Sequence, residues 1–383
     1  MKFNFGLGEE WKELEKIQKL KDEQRSIVFY AENKASMNHF KLLILELTEK
    51  KNFQICYVTS IKDDPMLSNK NKNIFSFYIG DKTARIKFFI TLKAKILIMD
   101  MPDLGKYHIK KSRVYPVHYI YIFHSMFSIH SYLRKGAIDN FDTIFCVGEH
   151  HENEIKETEK VYELKPKKLV KYGFGRLDAL LLEKQTFQKT SKENKKTVII
   201  APSYGENNLL EICGIELLEI LLNSNFRVLL RPHFKILKES KELINTLKEK
   251  FSNNPNFILE KSVIPSEQFH NSICLISDWS GISFEYAFTF ERPVVFIDVP
   301  KKILNKNSEE ISYEPIEISK REKIGYVINL KNLETIPSII ECMNEDISKN
   351  DSIRHVRDEI VYNLGNSAKI GGEYIEKLLN DLK

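Results

Sequence analysis

Short apolar runs alternate with longer stretches of helical periodicity along most of the chain. The runs at 26–31 (SIVFYA), 53–59 (FQICYVT), 74–78, 96–99, 117–123 and 143–147 (TIFCV) are rich in β-branched and aromatic residues and carry almost no charge. Apolar on both sides, such runs predict strands covered on both faces, hence a mostly parallel sheet. Residues 38–50 carry apolar positions at helical spacing, and Trp11, Leu14, Ile17 and Leu20 mark an amphipathic helix within 9–25. That helix either packs on its domain or meets a membrane surface, since Phe3, Phe5 and Trp11 stand among lysines.

The alternation breaks at 183–196 (EKQTFQKTSKENKK), a polar, basic stretch without apolar periodicity that reads as an interdomain linker. It then restarts. Strands are predicted at 197–201 (TVIIA), 226–230 (FRVLL), 257–259, 273–276 and 293–297, with helices at 208–223 and 235–251. The fold class is therefore α/β, with two Rossmann-like domains expected to face a cleft. Residues 1–185 are expected to form the N-terminal domain and 186–365 the C-terminal one. Residues 366–383 hold a last helix, at 371–382, expected to pack back on the first domain.

A length of 383 residues suits two domains, and 42% hydrophobic with 29% charged residues is an ordinary globular balance. Net charge is +5, from 58 basic and 53 acidic side chains, with Lys and Glu spread along the chain. That mild excess accommodates an anionic substrate or membrane surface and does not call for nucleic acid. The five cysteines are scattered and odd in number, with no Cys-x-x-Cys pair, which indicates buried thiols in a reducing cytoplasm. The N-terminus lacks the apolar core of a signal peptide. The longest apolar candidate for a span, 117–133, contains three histidines and three serines, too polar for a membrane crossing. The expected location is cytoplasmic, with membrane contact only peripheral, at the inner face.

Open parallel sheets bind ligands beyond the carboxyl ends of their strands, so the residues after each strand carry the candidate chemistry. Ile276-Ser277-Asp278-Trp279-Ser280-Gly281-Ile282-Ser283 joins a strand to a helix, and its small residues let backbone N–H groups approach a phosphate. Ser280, Gly281 and Ser283 are the anion contacts, unless the turn is an ordinary helix cap made by Asp278 or Ser280. Arg231-Pro232-His233 follows the strand FRVLL. Arg231 offers a fork of donors to phosphate, and His233 can donate to a phosphate oxygen or carry a proton to a leaving group. His124, at the end of HYIYIF, is placed to take a proton from an acceptor hydroxyl or else is structural; His118 and His130 are weaker candidates. Ala201-Pro202-Ser203-Tyr204-Gly205 could line the phosphate pocket through Ser203. Gly173 and Gly175 permit a tight turn, with Asp178 as cap of the helix that follows. No phosphate loop, Gly-x-Gly-x-x-Gly, His-Glu-x-x-His or Asp-x-Asp in a β-loop context is present, which argues against ATPases, NAD enzymes and metal-dependent transferases of the other common nucleotide-sugar fold. No cofactor and no metal site are expected.

The order FHSMFSIH, FDTIFCVGEHHENEI, YGFGRLD, APSYG, LLRPH, ISDWSGISFEYA and RPVVFIDVP resembles the CDP-glycerol glycerophosphotransferase family of teichoic acid and capsule polymer enzymes, over about residues 95–330. The resemblance implies a glycosyltransferase-B-like fold, with 1–185 as the acceptor-side and 186–365 as the nucleotide-donor domain. It also implies transfer of a polyol phosphate from a CDP-activated donor to a hydroxyl of a glycan or lipid-linked polymer acceptor, with CMP released. It implies His124 as base or acceptor-side phosphate contact, Arg231 and His233 at the diphosphate, Asp278, Ser280 and Gly281 at the donor phosphates, and Glu285 at the ribose hydroxyls. Two positions depart from the family pattern: Ser125 replaces the glycine after the first histidine, and Gly281 replaces a second serine. A nucleotide-sugar glycosyltransferase and a nucleotide-sugar 2-epimerase are the alternatives on a similar fold. The polyol, the acceptor and the oligomeric state stay open.

Overall fold

The computed structural model describes residues 8–187, 196–261, 267–302, 304–343 and 347–382. Phe3, Phe5 and most of the polar run 183–196 lie outside the described residues. The chain divides into two compact units. The first comprises Met1–Ala179, Asn305–Ser312 and Ile360–Lys383; the second comprises Leu180–Leu304 and Tyr313–Glu359. The division falls inside the helix Gly175–Thr186, ahead of the polar run.

The first unit is built on seven strands: β1 (Ile27–Ala31), β2 (Ile55–Thr59), β3 (Ile74–Tyr78), β4 (Ile96–Met99), β5 (His118–Ile122), β6 (Thr143–Cys146) and β7 (Lys168–Lys171). All pair in parallel, in the order β3-β2-β1-β4-β5-β6-β7. Every residue of β1, β2, β4 and β6 is buried, which is why these strands read as unbroken apolar runs. β7 (KLVK) gave no such run: it is an edge strand with Val170 alone buried.

The second unit holds β8 (Thr197–Ala201), β9 (Arg227–Leu230), β10 (Phe257–Leu259), β11 (Ser272–Ser277), β12 (Val294–Ile297) and β13 (Gly325–Ile328). Again all pair in parallel, in the order β10-β9-β8-β11-β12-β13. The strand order reverses between β1 and β4 in one sheet and between β8 and β11 in the other. Those two reversals are where such sheets open a crevice at their carboxyl edge.

Residues 360–383 belong to the first unit, and two glycines admit them. A Cβ on Gly148 would stand 1.9 Å from the Ile360 carbonyl oxygen, and one on Gly173 2.2 Å from that of Tyr362. Gly173 also has φ +100°, a region that disfavours any side chain. Asp178, expected to cap its own helix, instead accepts from Gly365 N at 2.7 Å and Ser367 N at 3.0 Å. It thereby caps the C-terminal helix Ser367–Asp381, whose Ile375 and Leu379 enter the core beside Leu43, Leu47 and Ile55. Asp178→Ala is expected to cost about 2 kcal/mol in urea unfolding, because it uncaps a helix and strands buried N–H donors. Hydrogen exchange should accelerate first across 363–370.

Candidate active site

In the second unit, the turns after β8, β9 and β11 stand side by side at one sheet edge. Ile200 pairs with Leu230 on one side and with Ile276 on the other. Arg231 N donates to Ile200 O at 2.8 Å, and Ser277 Oγ to Ala201 O at 2.6 Å. Asp278 is 1% exposed and points inward. Its carboxylate accepts from Ser203 N at 2.6 Å, Ser203 Oγ at 3.1 Å and Leu209 N at 3.0 Å. Burial raises its pKa, and these donors work against that shift. With both oxygens engaged, Asp278 braces the 202–209 turn against β11, a different task from touching donor phosphates directly. Ser203 is itself buried and committed to Asp278.

That brace fixes Tyr204. The His233 ring stacks on it, with centroids 4.7 Å apart and planes at 29°. Two ammonium groups approach the same ring: Lys302 Nζ at 3.3 Å and Lys235 Nζ at 4.0 Å from its centroid. Burial, with the Asp278 carboxylate opposing it, lowers the Lys302 pKa to about 8. Burial and the two lysines hold His233 down at about 4, so at neutral pH its imidazole is uncharged. Lys235 N donates to His233 Nδ1 at 3.2 Å, so the ring proton sits on Nε2, ready to donate. Two cations and a histidine N–H around one aromatic ring make a cradle for an anion.

Arg231 turns the other way. Its side chain is 10% exposed, its guanidinium carbon lies 4.7 Å from the Phe269 ring centroid, and Nε is 4.0 Å from Glu260 Oε2, just past the end of β10. The helix Ile282–Phe290 begins at Gly281 with no side chain capping it. Ser283 is buried, and its hydroxyl donates back to Ser280 O at 2.7 Å. Ser280, Gly281 and Glu285 are half-buried at this helix start.

In the first unit, His124 follows β5, the neighbour of β4, which borders the sheet reversal. Its Nδ1 lies 3.3 Å from Asp100 O and 3.4 Å from Tyr121 Oη. A carbonyl only accepts, so Nδ1 carries the proton and Nε2 keeps its lone pair, the form a general base needs. Solvent reaches the ring, while Tyr132 at 5.6 Å and His39 at 6.5 Å between ring centres crowd its other sides. This partial loss of hydration lowers the His124 pKa, and the Asp100 carbonyl opposes it. Asp100 is 5% exposed, accepts from Ser36 Oγ at 2.9 Å, and is pushed by burial up to about 7. His118 and His130 are structural: the first lies 2.8 Å from Thr143 Oγ1, the second 3.0 Å from Glu154 Oε2.

Among the described residues, no group of His, Cys, Asp or Glu is arranged to hold a metal ion, and no helix is long and apolar enough to cross a membrane. The model of the family described as CDP-glycerol:poly(glycerophosphate) glycerophosphotransferase matches residues 13–369. The chain belongs to this family. None of the curated proteins matches the glycerophosphotransferase chain in sequence. Among solved structures, it resembles a histidine-to-asparagine variant of the wall teichoic acid polymerase TagF soaked with CDPG. The TM-score is 0.63 at 16% identity, over 97% of this chain and 94% of that one. It also resembles the Methanocaldococcus jannaschii UDP-GlcNAc 2-epimerase solved with UDP-GlcNAc and UDP (TM-score 0.56, 14% identity, 92% and 99% coverage) and S. aureus MnaA with UDP (0.56, 14%, 94% and 98%). At such identities the likeness is one of fold. The family match, which spans nearly the whole chain, favours a glycerophosphotransferase over the epimerase and glycosyltransferase alternatives.

Two groups in this glycerophosphotransferase left little trace in the sequence. Lys235 and Lys302 look like ordinary surface lysines until the fold sets both on Tyr204. His150 Nε2 at 2.9 Å from Met126 O and His151 Nε2 at 2.9 Å from Phe127 O pin the loop that carries His124. Their adjacency in EHHENEI was the one available signal.

Proposed function

We propose that the second unit holds the diphosphate of a CDP-polyol against Tyr204, Lys235, Lys302 and His233, and that His124 of the first unit is the general base. The acceptor hydroxyl oxygen attacks the β-phosphorus as His124 Nε2 takes its proton. A new phosphodiester forms, the bond from the β-phosphorus to the bridging oxygen breaks, and CMP leaves with that electron pair. Lys302, Lys235 and the neutral His233 Nε2–H balance the charge gathering on the departing phosphate. Ser280, Gly281 and the start of the helix Ile282–Phe290 supply backbone donors to the donor phosphates, and Ser283 acts through its bond to the Ser280 carbonyl. Glu285 reaches the ribose. Arg231 acts from the flank, and Asp278 and Ser203 act by holding Tyr204 in place. The acceptor is a glycan or lipid-linked polymer at the inner face of the membrane.

The observation that carries this reading is the convergence of Lys235, Lys302 and His233 on one braced ring within a chain of this family. The donor is tested by a thermal-shift panel of CDP-glycerol, CDP-ribitol, UDP-GlcNAc and CMP-sialic acid. A CDP-polyol at a hundred times its dissociation constant should stabilise the protein by about 2.7 kcal/mol, and UDP-GlcNAc should not. CMP release that requires an acceptor then identifies the transfer. Stabilisation by UDP-GlcNAc alone would count against it.

A further inference from the structure

The parallel register carries past the ends of β9 and β10. Leu230 pairs with Leu259, and Glu260 N donates to Leu230 O at 2.8 Å, so Arg231 and Glu260 leave their strands side by side. Their side chains stay together. Arg231 Nε lies 4.0 Å from Glu260 Oε2, with 10% and 12% of the two side chains exposed. At that separation the charges attract, but no hydrogen bond joins the two atoms. Glu260 Oε2 is buried and accepts no hydrogen bond, a costly state for a carboxylate oxygen. The guanidinium sits over the ring of Phe269, its carbon 4.7 Å from the centroid, and Phe269 is itself buried. A hydrogen-bond acceptor and a planar donor are thus fixed next to each other, two residues from His233.

This pair is the wrong chemistry for a phosphate, which the Glu260 carboxylate would repel. The anion has its own cradle in Lys235, Lys302 and the His233 N–H. What the pair fits is a neutral group that presents a donor beside an acceptor in fixed order. Cytosine does so on its Watson–Crick edge, with the 4-amino group next to N3. Uracil presents the reverse, an O4 acceptor beside N3–H. A polyol hydroxyl donates or accepts by turning about its C–O bond and calls for no fixed order.

We propose that Arg231 and Glu260 read the base of the nucleotide donor: Glu260 accepts from the 4-amino group of cytosine, and the Arg231 guanidinium donates to N3. This inference rests on the CDP-donor reading above and gives it a selectivity. Uracil in the same place sets O4 against a carboxylate and N3–H against a guanidinium. Arg231 then serves the base and not the diphosphate, which accounts for its turn away from the cradle.

The test is isothermal titration calorimetry of the full chain with CDP, UDP and the diphosphate of 2-pyrimidinone riboside, which lacks the 4-amino group. CDP should bind about five- to 150-fold more tightly than either, the range over which one well-placed pair tells bases apart. Glu260→Gln keeps the size of the side chain and replaces an acceptor-only group by an amide that also donates. It should hold UDP more tightly and bring the two nucleotides within about threefold of each other. An ion pair that served only the fold would lower CDP and UDP alike, so an unchanged CDP-to-UDP ratio in this variant overturns the proposal. Equal binding of CDP and UDP by the unmodified chain, or of CDP and the pyrimidinone diphosphate, overturns it without any variant and leaves the diphosphate cradle standing. A Glu260→Gln chain that alters the choice between CDP-glycerol and CDP-ribitol, with its CDP-to-UDP ratio intact, assigns the pair to the polyol and overturns the base reading. Binding of neither CDP nor UDP overturns the donor reading itself, and this inference with it.

Discussion

His124→Asn should lower acceptor-dependent CMP release by about a hundred- to ten-thousandfold, the range over which a positioned general base acts. Asparagine keeps the size and can still donate to the Asp100 carbonyl, so the loop pinned by His150 and His151 should hold its shape. What it lacks is a lone pair able to accept the hydroxyl proton. The loss should therefore fall on kcat, with the donor KM nearly unchanged, because the donor cradle lies in the other unit. Far-UV circular dichroism and the unfolding midpoint should match the unmodified protein. A kcat within threefold of normal would remove His124 from the chemistry.

Lys302→Met should cost about a hundred- to a thousandfold in kcat/KM, as expected when a positioned charge at the developing phosphate is lost. Methionine keeps contact with the Tyr204 face, so the stack with His233 should survive. The pH profile supplies the sharper readout. Lys302 must be charged, and with its pKa brought to about 8 that charge is lost as pH rises through about 8. His124 must be neutral, and its lowered pKa puts the acid limb below the ordinary histidine value of 6.5. The kcat/KM profile should thus be a bell, and Lys302→Met should abolish its alkaline limb while leaving the acid limb in place. An unchanged alkaline limb in the variant would assign that titration to another group.

What could be read from the sequence follows from how each feature is encoded. The buried central strands β1, β2, β4 and β8 announced themselves because every residue is buried and nearly all are apolar. β7 and β13 did not: an edge strand buries little, and Gly325 opens β13 where a Cβ would lie 2.0 Å from the Val294 carbonyl oxygen. The strand-end positions of His124, His233 and Asp278 were legible because parallel sheets put chemistry at their carboxyl edges. Direction was not. Asp278 turns inward to Ser203 and Leu209, and Arg231 turns toward Glu260, because a side chain's aim depends on partners 75 and 29 residues away in sequence. Lys302 was hidden for the same reason, since nothing local in VPKKIL marks one lysine as the one that meets an aromatic face.

The return of residues 360–383 to Gly148, Gly173 and Asp178 bears on how the molecule is made. During synthesis the first unit emerges early, yet the helix that covers Leu43, Phe145 and Tyr172 leaves the ribosome only after the whole second unit. Until then the nascent chain presents an open apolar groove on a sheet already seven strands wide. Such a groove is a binding surface for a chaperone and a route to aggregation when the second unit folds slowly, so yield on overexpression should be governed by the rate at which that last segment arrives.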